Sequence, residues 1–586
     1  MKTAFPPRAS GDRHRFRPCL EWLEDRTCPT TLVLRGSTLY CDGTSGDDRV
    51  SFIDDAAALF VDIGDGKAYQ YKGQAVRNVV INMLAGNDDV DYKIRDFNIS
   101  VPGSDQPRNI AIDTQGGDDR IAFESGDWAR PSSKDPWQVT ICGGSGADEI
   151  TGRFGALSDV HLQFVVRGED GDDRVDVSQV GCATGLTANL FDIGGGLGKD
   201  DLQYKYDGLG GAVTLENPRT PPTTVNLHGD AGDDNLIIIH ANVAVTDSWM
   251  VHAHGDNGAD AVGIIICGAR IASKGRFGIN MQGNRGSDDM RYKMEDVQID
   301  GSMDLNIGGG TQDDHALIEI TNLAVNKGVD AQEIPVNGSL KMNVNGGSHF
   351  DDIGIWVQNT NIAGTLDVNL QGGDHDDDLR FALEDAQAPG KVNVKVDGGT
   401  GNDTASLKQS NISTTGNIIL NFFGGTGADD VAIIVQDLNA GVAAGVGAHV
   451  AFNADGGLGA DTIDYVIHWN VAAGATAEAN LFGRGGDDKC IVIDNGVVAG
   501  QSFIRVDAGF GNDVVDVDVS LDPGSTGQAD LQVFGNRGND DLTVMAMQRS
   551  TEYKLSAVLD AFEGYDIARV TANVLVQRAE EIFVIG

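Results

Sequence analysis

The feature that most constrains this chain is an aspartate that recurs almost regularly from residue 48 to residue 566. Nineteen copies align on it, no two successive copies are closer than 25 residues, and the commonest interval is 26 residues. A period of this size is typical of repeat proteins in which one small unit stacks on the next. The nineteen anchor aspartates are Asp48, Asp88, Asp119, Asp148, Asp173, Asp200, Asp234, Asp260, Asp288, Asp314, Asp351, Asp377, Asp403, Asp429, Asp461, Asp488, Asp513, Asp540 and Asp566.

Short alternating segments flank each anchor aspartate. Val392, Val394 and Val396 precede one glycine-rich turn, and Val431 and Ile433 follow another. Alternation with period two predicts strands that bury one face. Two half-buried strands are not a stable domain, but stacked copies can share one core. We therefore predict an all-β fold, a parallel β-solenoid of about 19 coils of ~26 residues with two short strands per coil over residues 31–586. A set of antiparallel sandwiches is the alternative.

The turns themselves carry a recognisable motif. Residues 398–403 are Gly-Gly-Thr-Gly-Asn-Asp, and residues 143–148, 424–429 and 456–461 follow the same pattern. These turns resemble the repeats-in-toxin (RTX) nonapeptide G-G-x-G-x-D-x-U-x, in which U is a large apolar residue. The resemblance covers nearly the whole chain after residue 38. It differs in spacing, because RTX proteins run nonapeptides back to back and this chain has one per ~26 residues.

The resemblance implies multiple Ca²⁺ ions held between stacked turns by aspartates and main-chain carbonyl groups. Met83, Thr114, Ala508 and Ala561 replace the first glycine of the motif, and His349 and His375 replace the third, which makes those turns weaker matches to it. The candidate metal-binding residues are Asp148, Asp173, Asp200, Asp234, Asp260, Asp288, Asp403, Asp429, Asp461, Asp488, Asp513 and Asp540, with Gly143, Gly398, Gly424 and Gly456.

Charge supports the same expectation on physical grounds. The chain has 87 acidic and 43 basic residues, a net charge of −44. Stacked carboxylates repel unless a cation lies between them. Ca²⁺ in all eighteen gaps between nineteen turns would leave about −8. The simpler interpretation is ordinary Gly/Asp turns, whose aspartates hydrogen-bond local amides and solvate the surface.

Composition also excludes several partners. An acidic surface is unsuited to phosphate backbones, so no nucleic-acid partner is expected. The longest apolar run, residues 261–269, is far shorter than the ~20 residues of a membrane helix. Residues 1–30 differ from the rest, with a net charge of +2. Their segment Arg15–Arg26 resembles N-terminal segments of large bacterial surface or exported proteins, and we expect an export or disordered segment.

The leading functional hypothesis is a non-enzymatic, secreted or cell-surface bacterial protein in which Ca²⁺ binding is coupled to folding. It would act as a structural or adhesive module, and a polysaccharide or the cell-surface matrix is a possible partner. The alternative is a polysaccharide lyase, epimerase or hydrolase on a solenoid scaffold. His252 and His254 are conceivable ligands in that case, although a polar strand face is the favoured interpretation.

Overall fold

A computed structural model describes most of the chain after its N-terminal segment. The described residues are 30–55, 58–72, 75–95, 97–98, 108–129, 137–158, 161–181, 189–208, 223–329, 335–443, 446–547, 554–571, 573–579 and 581–585. Within these ranges the regular structure is β-strand, with no α-helix. None of these residues therefore forms a helix that could cross a membrane. The predicted N-terminal segment, apart from Thr30, lies outside the described residues.

Two long sheets run the length of the molecule. The incoming sheet contains the strands that precede the glycine–aspartate turns, and the outgoing sheet contains those that follow them. Neighbouring strands are parallel and in register, as in the pairs Val394 with Leu420 and Ile433 with Tyr465. The predicted parallel β-solenoid with two strands per coil is thus confirmed. The antiparallel sandwich alternative is wrong, because antiparallel pairs occur only at the first coils and in inserted hairpins among the described strands.

The strands of the incoming sheet are Thr31–Arg35, Thr38–Asp42, Asn78–Asn82, Asn109–Asp113, Trp137–Ser145, Leu162–Asp170, Asn189–Leu197, Thr223–Ala231, Ser248–Asn257, Arg276–Arg285, Ser302–Thr311, Ser339–Ser348, Thr365–Asp374, Lys391–Thr400, Asn417–Thr426, His449–Leu458, Thr476–Gly485, Gln501–Phe510, Gln528–Arg537, Lys554–Asp560 and Leu575–Gln577.

The strands of the outgoing sheet are Arg49–Asp54, Ala58–Asp62, Ala68–Lys72, Asp89–Ile94, Arg120–Ser125, Glu149–Phe154, Arg174–Val180, Asp201–Asp207, Asn235–Ala241, Ala244–Val245, Ala261–Cys267, Arg270–Ile271, Asp289–Glu295, Gln298–Ile299, His315–Thr321, Ala324–Val325, Asp352–Ile362, Asp378–Gln387, Thr404–Thr414, Asp430–Ala440, Thr462–Val471, Lys489–Val498, Val514–Leu521, Asp541–Met547, Ile567–Thr571 and Glu581–Ile585.

Short strands lie outside the two sheets. Lys327–Val329 pairs with Pro335–Asn337, and Val442–Ala443 pairs with Val446–Gly447. These hairpins fall in the 37-residue and 32-residue intervals of the repeat, where the sequence predicts inserted loops. Three further two-residue strands, Phe97–Asn98, Trp128–Ala129 and Leu157–Ser158, pair in parallel. Insertions therefore lengthen single coils without breaking the stack.

The core is the space between the two sheets. Alternate residues of each strand point inward, so that Val431, Ile433 and Val435 are fully buried while the residues between them are half-buried or exposed. The buried apolar side chains form one continuous cluster along the described coils. Burial of this surface is the main force that holds each coil on the next. It also fixes every glycine–aspartate turn at one edge of the stack.

Candidate functional site

Stacking brings the predicted aspartates into a single column. The eighteen anchors from Asp88 to Asp566 are between 0 and 4% exposed, and Asp48 is half-buried. The column includes all twelve predicted aspartates. It also includes anchors from the turns left out of the candidate set, among them Asp351 and Asp377, whose turns carry histidine in place of the third glycine.

Adjacent members of this column are hydrogen-bonded to each other. The backbone N–H of each anchor donates to the Oδ1 atom of the anchor in the next coil, with N···O distances of 2.6–3.0 Å. Eighteen such bonds join all nineteen anchors, and we call this arrangement the anchor ladder. The simple turn interpretation is therefore right that the aspartates bind amides, but these amides belong to neighbouring coils. The interpretation is wrong that the aspartates solvate the surface.

The second carboxylate oxygen of each anchor has a different environment. Oδ2 is buried and has no hydrogen-bond partner in the seventeen anchors from Asp88 to Asp540. A buried polar atom left unpaired is costly, and a buried charge more so. Seventeen successive copies of the same unpaired oxygen need a common explanation, which is a bound proton, a bound cation or an ordered water molecule.

The first glycine of the turn makes room for this oxygen. A Cβ atom on Gly424 would lie closer than 3.0 Å to Asp429 Oδ2 and to the carbonyl oxygen of Gly456 in the next coil. Gly398 has the same relation to Asp403 and to the carbonyl of Gly424. A Cβ atom on Gly143 or Gly456 would likewise collide with Oδ2 of the anchor in the same turn. The four predicted glycines thus lie beside the unpaired oxygens, and at three of them, Gly143, Gly398 and Gly424, a carbonyl oxygen also approaches from the following coil.

The third glycine is required for a different reason. Gly427 has φ of +140°, and a Cβ on it would meet the carbonyl oxygen of Gly401 in the preceding coil. This conformation and this close approach favour glycine. The chain nevertheless places Gln312, His349 and His375 at this position in three successive coils.

Burial perturbs the protonation of the anchors. Burial, reinforced by the negative charges of neighbouring anchors and opposed by the ladder N–H bond, raises the pKa of Asp488 to about 7 and that of Asp377 to about 8. Fourteen anchors have a pKa raised to between about 6 and about 8 in this way. Near neutral pH the column is therefore poised between protonated and charged forms.

A second row of side chains runs along the outside of the same turns. The residue before each anchor is often Asp or Asn, and its Oδ1 accepts the N–H of the equivalent residue in the next coil. Examples are Asp376 with the N–H of Asn402 at 2.7 Å and Asp487 with that of Asn512 at 2.8 Å. From the sequence alone, stacked carboxylates are expected only to repel each other. The recurrence of Asp or Asn at this position is the signal that would have identified this outer ladder.

The donor set around the anchor ladder consists of oxygen atoms. Seventeen coils supply an unpaired carboxylate oxygen, and in ten of them a main-chain carbonyl oxygen of the next coil approaches the first glycine of the same turn. Carboxylate and carbonyl oxygens are the ligand type that Ca²⁺ takes. Among the described residues, no three His, Cys, Asp or Glu side chains are grouped so that they could hold a metal ion. An ion at the anchor ladder would therefore depend on carbonyl groups for most of its ligands.

The histidines considered for an enzyme site lie elsewhere, on the outer face of the incoming sheet. His252 and His254 are half-buried beside His228, whose ring nitrogens are 3.6 Å from Asp192 Oδ1 and 3.9 Å from Asp256 Oδ2. Burial, followed by the neighbouring His228, lowers the pKa of His252 and His254. This arrangement is a polar strand face, and the enzyme alternative stays a prediction.

Comparison with known proteins adds no family assignment. No protein-family model matches the sequence, and no curated protein matches it.

Proposed function

We propose that this chain is a non-enzymatic, calcium-dependent structural rod, which acts as a structural or adhesive module outside the cell. The observation that carries this proposal is the column of buried anchor carboxylates, seventeen of which have an unpaired Oδ2. In ten of these turns a carbonyl oxygen of the next coil approaches the first glycine of the same turn. The resemblance of the turns to RTX repeats supports the same ion.

The energetic argument starts from the raised pKa values. Folding raises the pKa of these aspartates from 3.8 to between about 6 and about 8. At a pH above the raised pKa, keeping one such aspartate ionised costs the folded state roughly 3–6 kcal/mol of stability. Fourteen such groups together would exceed the ~5–15 kcal/mol by which a folded protein is typically stable. The folded column at pH 8 therefore needs counter-charges, and a divalent cation bound between carboxylates would supply them.

The coordination chemistry favours calcium over other common cations. Ca²⁺ accepts six to eight oxygens in flexible geometry, whereas Mg²⁺ demands near-ideal octahedral geometry and retains its waters. The anchor carboxylates are buried, which disfavours an ion that must keep several of its waters. Extracellular Ca²⁺ sites often have dissociation constants of roughly 10⁻⁴–10⁻³ M, so such a rod would fold where calcium is abundant.

The test is far-UV circular dichroism combined with calorimetric titration of the purified chain at pH 8. We expect little β signal in chelator, a full signal in millimolar Ca²⁺, and several bound ions per chain, with Mg²⁺ as a poor substitute. A β signal that is the same in chelator and in Ca²⁺, without heat of binding, would overturn the proposal. A β signal that returns in chelator on acidification but does not respond to Ca²⁺ at pH 8 would assign the unpaired oxygens to protons.

A further inference from the structure

In three consecutive coils a residue other than glycine occupies the third-glycine position of the turn. At the third-glycine position Gln312, His349 and His375 have φ of +86°, +89° and +82°. Side chains other than glycine are strained in this region, and such strain is often found at functional sites. These coils are the only three of the nineteen whose third-glycine position carries a side chain.

The two histidines are placed side by side. Their rings are parallel within 4°, and their centroids are 5.0 Å apart. Both residues are exposed at the edge of the solenoid, while the anchors Asp351 and Asp377 of the same turns are buried. The imidazoles are therefore accessible from solvent and separate from the anchor ladder.

Hydrogen bonding leaves one nitrogen of His349 available. Its Nδ1 is 2.8 Å from the carbonyl oxygen of Ser348, and since a carbonyl can only accept, Nδ1 carries the proton. The neutral ring then has its lone pair on Nε2. Histidines that bind metal ions typically donate their other N–H in this way, which fixes the tautomer and the ring orientation.

We propose that His349 and His375 form a binding site for a transition-metal ion of the zinc class, with Nε2 of each ring as a ligand. Imidazole suits Zn²⁺, Cu²⁺ and Ni²⁺, whereas Ca²⁺ takes oxygen ligands. Two exposed rings 5.0 Å apart need only side-chain rotation to reach one ion at metal–nitrogen distances of about 2.0–2.1 Å. Water completes the shell, since no third His, Cys, Asp or Glu side chain of the described residues is grouped with the two rings.

The experiment uses the full chain in millimolar Ca²⁺, so that its outcome does not depend on the calcium proposal. Zn²⁺ is titrated calorimetrically into the wild type, His349→Gly, His375→Gly and the control His468→Gln. The glycine variants restore the residue found in sixteen of the nineteen turns and relieve strain, so they are expected to fold. His468 is a half-buried histidine whose Nδ1 is 3.1 Å from Asp437 Oδ1 in another coil.

We expect the wild type and His468→Gln to bind one equivalent of Zn²⁺ with the same affinity. In each glycine variant the affinity for this Zn²⁺ should fall at least tenfold. Electron paramagnetic resonance of bound Cu²⁺ should show coupling to two nitrogens in the wild type and one in either variant. Unchanged Zn²⁺ binding in both glycine variants, or no binding by the wild type, would overturn the proposal. The second result would leave the parallel rings as a purely structural stack.

Discussion

Replacing one anchor carboxylate by its amide should have opposite effects with and without calcium. Asp488 is a suitable site because it is 2% exposed and its Oδ1 accepts the N–H of Asp461 at 2.9 Å. In Asp488→Asn the amide oxygen can keep this bond. The amide nitrogen takes the place of Oδ2, near the carbonyl oxygen of Ala508, to which it can donate. The substitution therefore removes a buried charge and adds a donor where none exists.

The magnitude follows from the pKa of Asp488, which burial raises from 3.8 to about 7. A shift of about 3 units corresponds to at most ~4 kcal/mol of lost stability when the group is ionised. In chelator at pH 8, Asp488→Asn should therefore stabilise the protein by up to ~4 kcal/mol. In millimolar Ca²⁺ it should destabilise the protein, because an ion loses a charged ligand.

The assay is circular dichroism, which follows the loss of the β signal with rising pH in chelator and with rising guanidinium in Ca²⁺. The matched control is Asp487→Asn, which removes the same charge from the adjacent, exposed residue of the outer ladder and keeps an oxygen that accepts the N–H of Asn512. The control should shift the midpoint little in either buffer. Destabilisation by Asp488→Asn in chelator, or equal stabilisation in both buffers, would refute the reasoning.

Three further predictions concern the same stack. Because the anchor pKa values are raised on folding to between about 6 and about 8, the stability that the protonated anchors contribute in chelator is present at pH 4 and lost as pH rises through 6–8. Thermal melts in chelator at pH 5 and pH 8 check this, and a higher melting temperature at pH 8 would contradict it. Gly424→Ala should strongly destabilise the protein, since its Cβ would meet Asp429 Oδ2 and a carbonyl oxygen. Gly263→Ala should leave stability unchanged, because the nearest atom to its added Cβ is 3.8 Å away. Equal denaturation midpoints for the two variants would refute the steric argument. Arg108→Met should cost roughly 3–5 kcal/mol of stability because it removes the positive partner of the fully buried Asp54, which lies 3.0 Å from Arg108 Nε. Arg120→Met, in an exposed ion pair, should cost less than about 1 kcal/mol. Similar denaturation midpoints for the two variants would show that the buried pair is dispensable.

The architecture could be predicted because it depends on local pattern. Alternation such as Val392, Val394 and Val396 identifies strands, and the regular interval between anchors indicates stacking, so the parallel solenoid follows from sequence. The inserted hairpin at 442–447 was signalled by a longer interval. Each of these features is a property of one coil and its repetition.

The site could be predicted only in part. Asp after a glycine turn is normally solvated, so the burial of the anchors depends on contacts between coils that no single copy reveals. Asp351 and Asp377 were left out because of the histidines in their turns, yet both are members of the anchor ladder. The ladder depends on the anchor itself, since Asp88 and Asp119 belong to it although Met83 and Thr114 replace the first glycine of their turns. The side chain at the third position lies at the exposed edge and leaves the ladder bond in place.

The most direct test of the calcium-filled anchor ladder is long-wavelength anomalous diffraction from crystals grown in millimolar Ca²⁺. We expect a row of anomalous peaks beside the Oδ2 atoms of the anchors, about 4.8 Å apart because that is the spacing of stacked strands. Peaks only at exposed aspartates such as Asp376 and Asp487, or none along the column, would show that the buried carboxylates are neutralised without calcium.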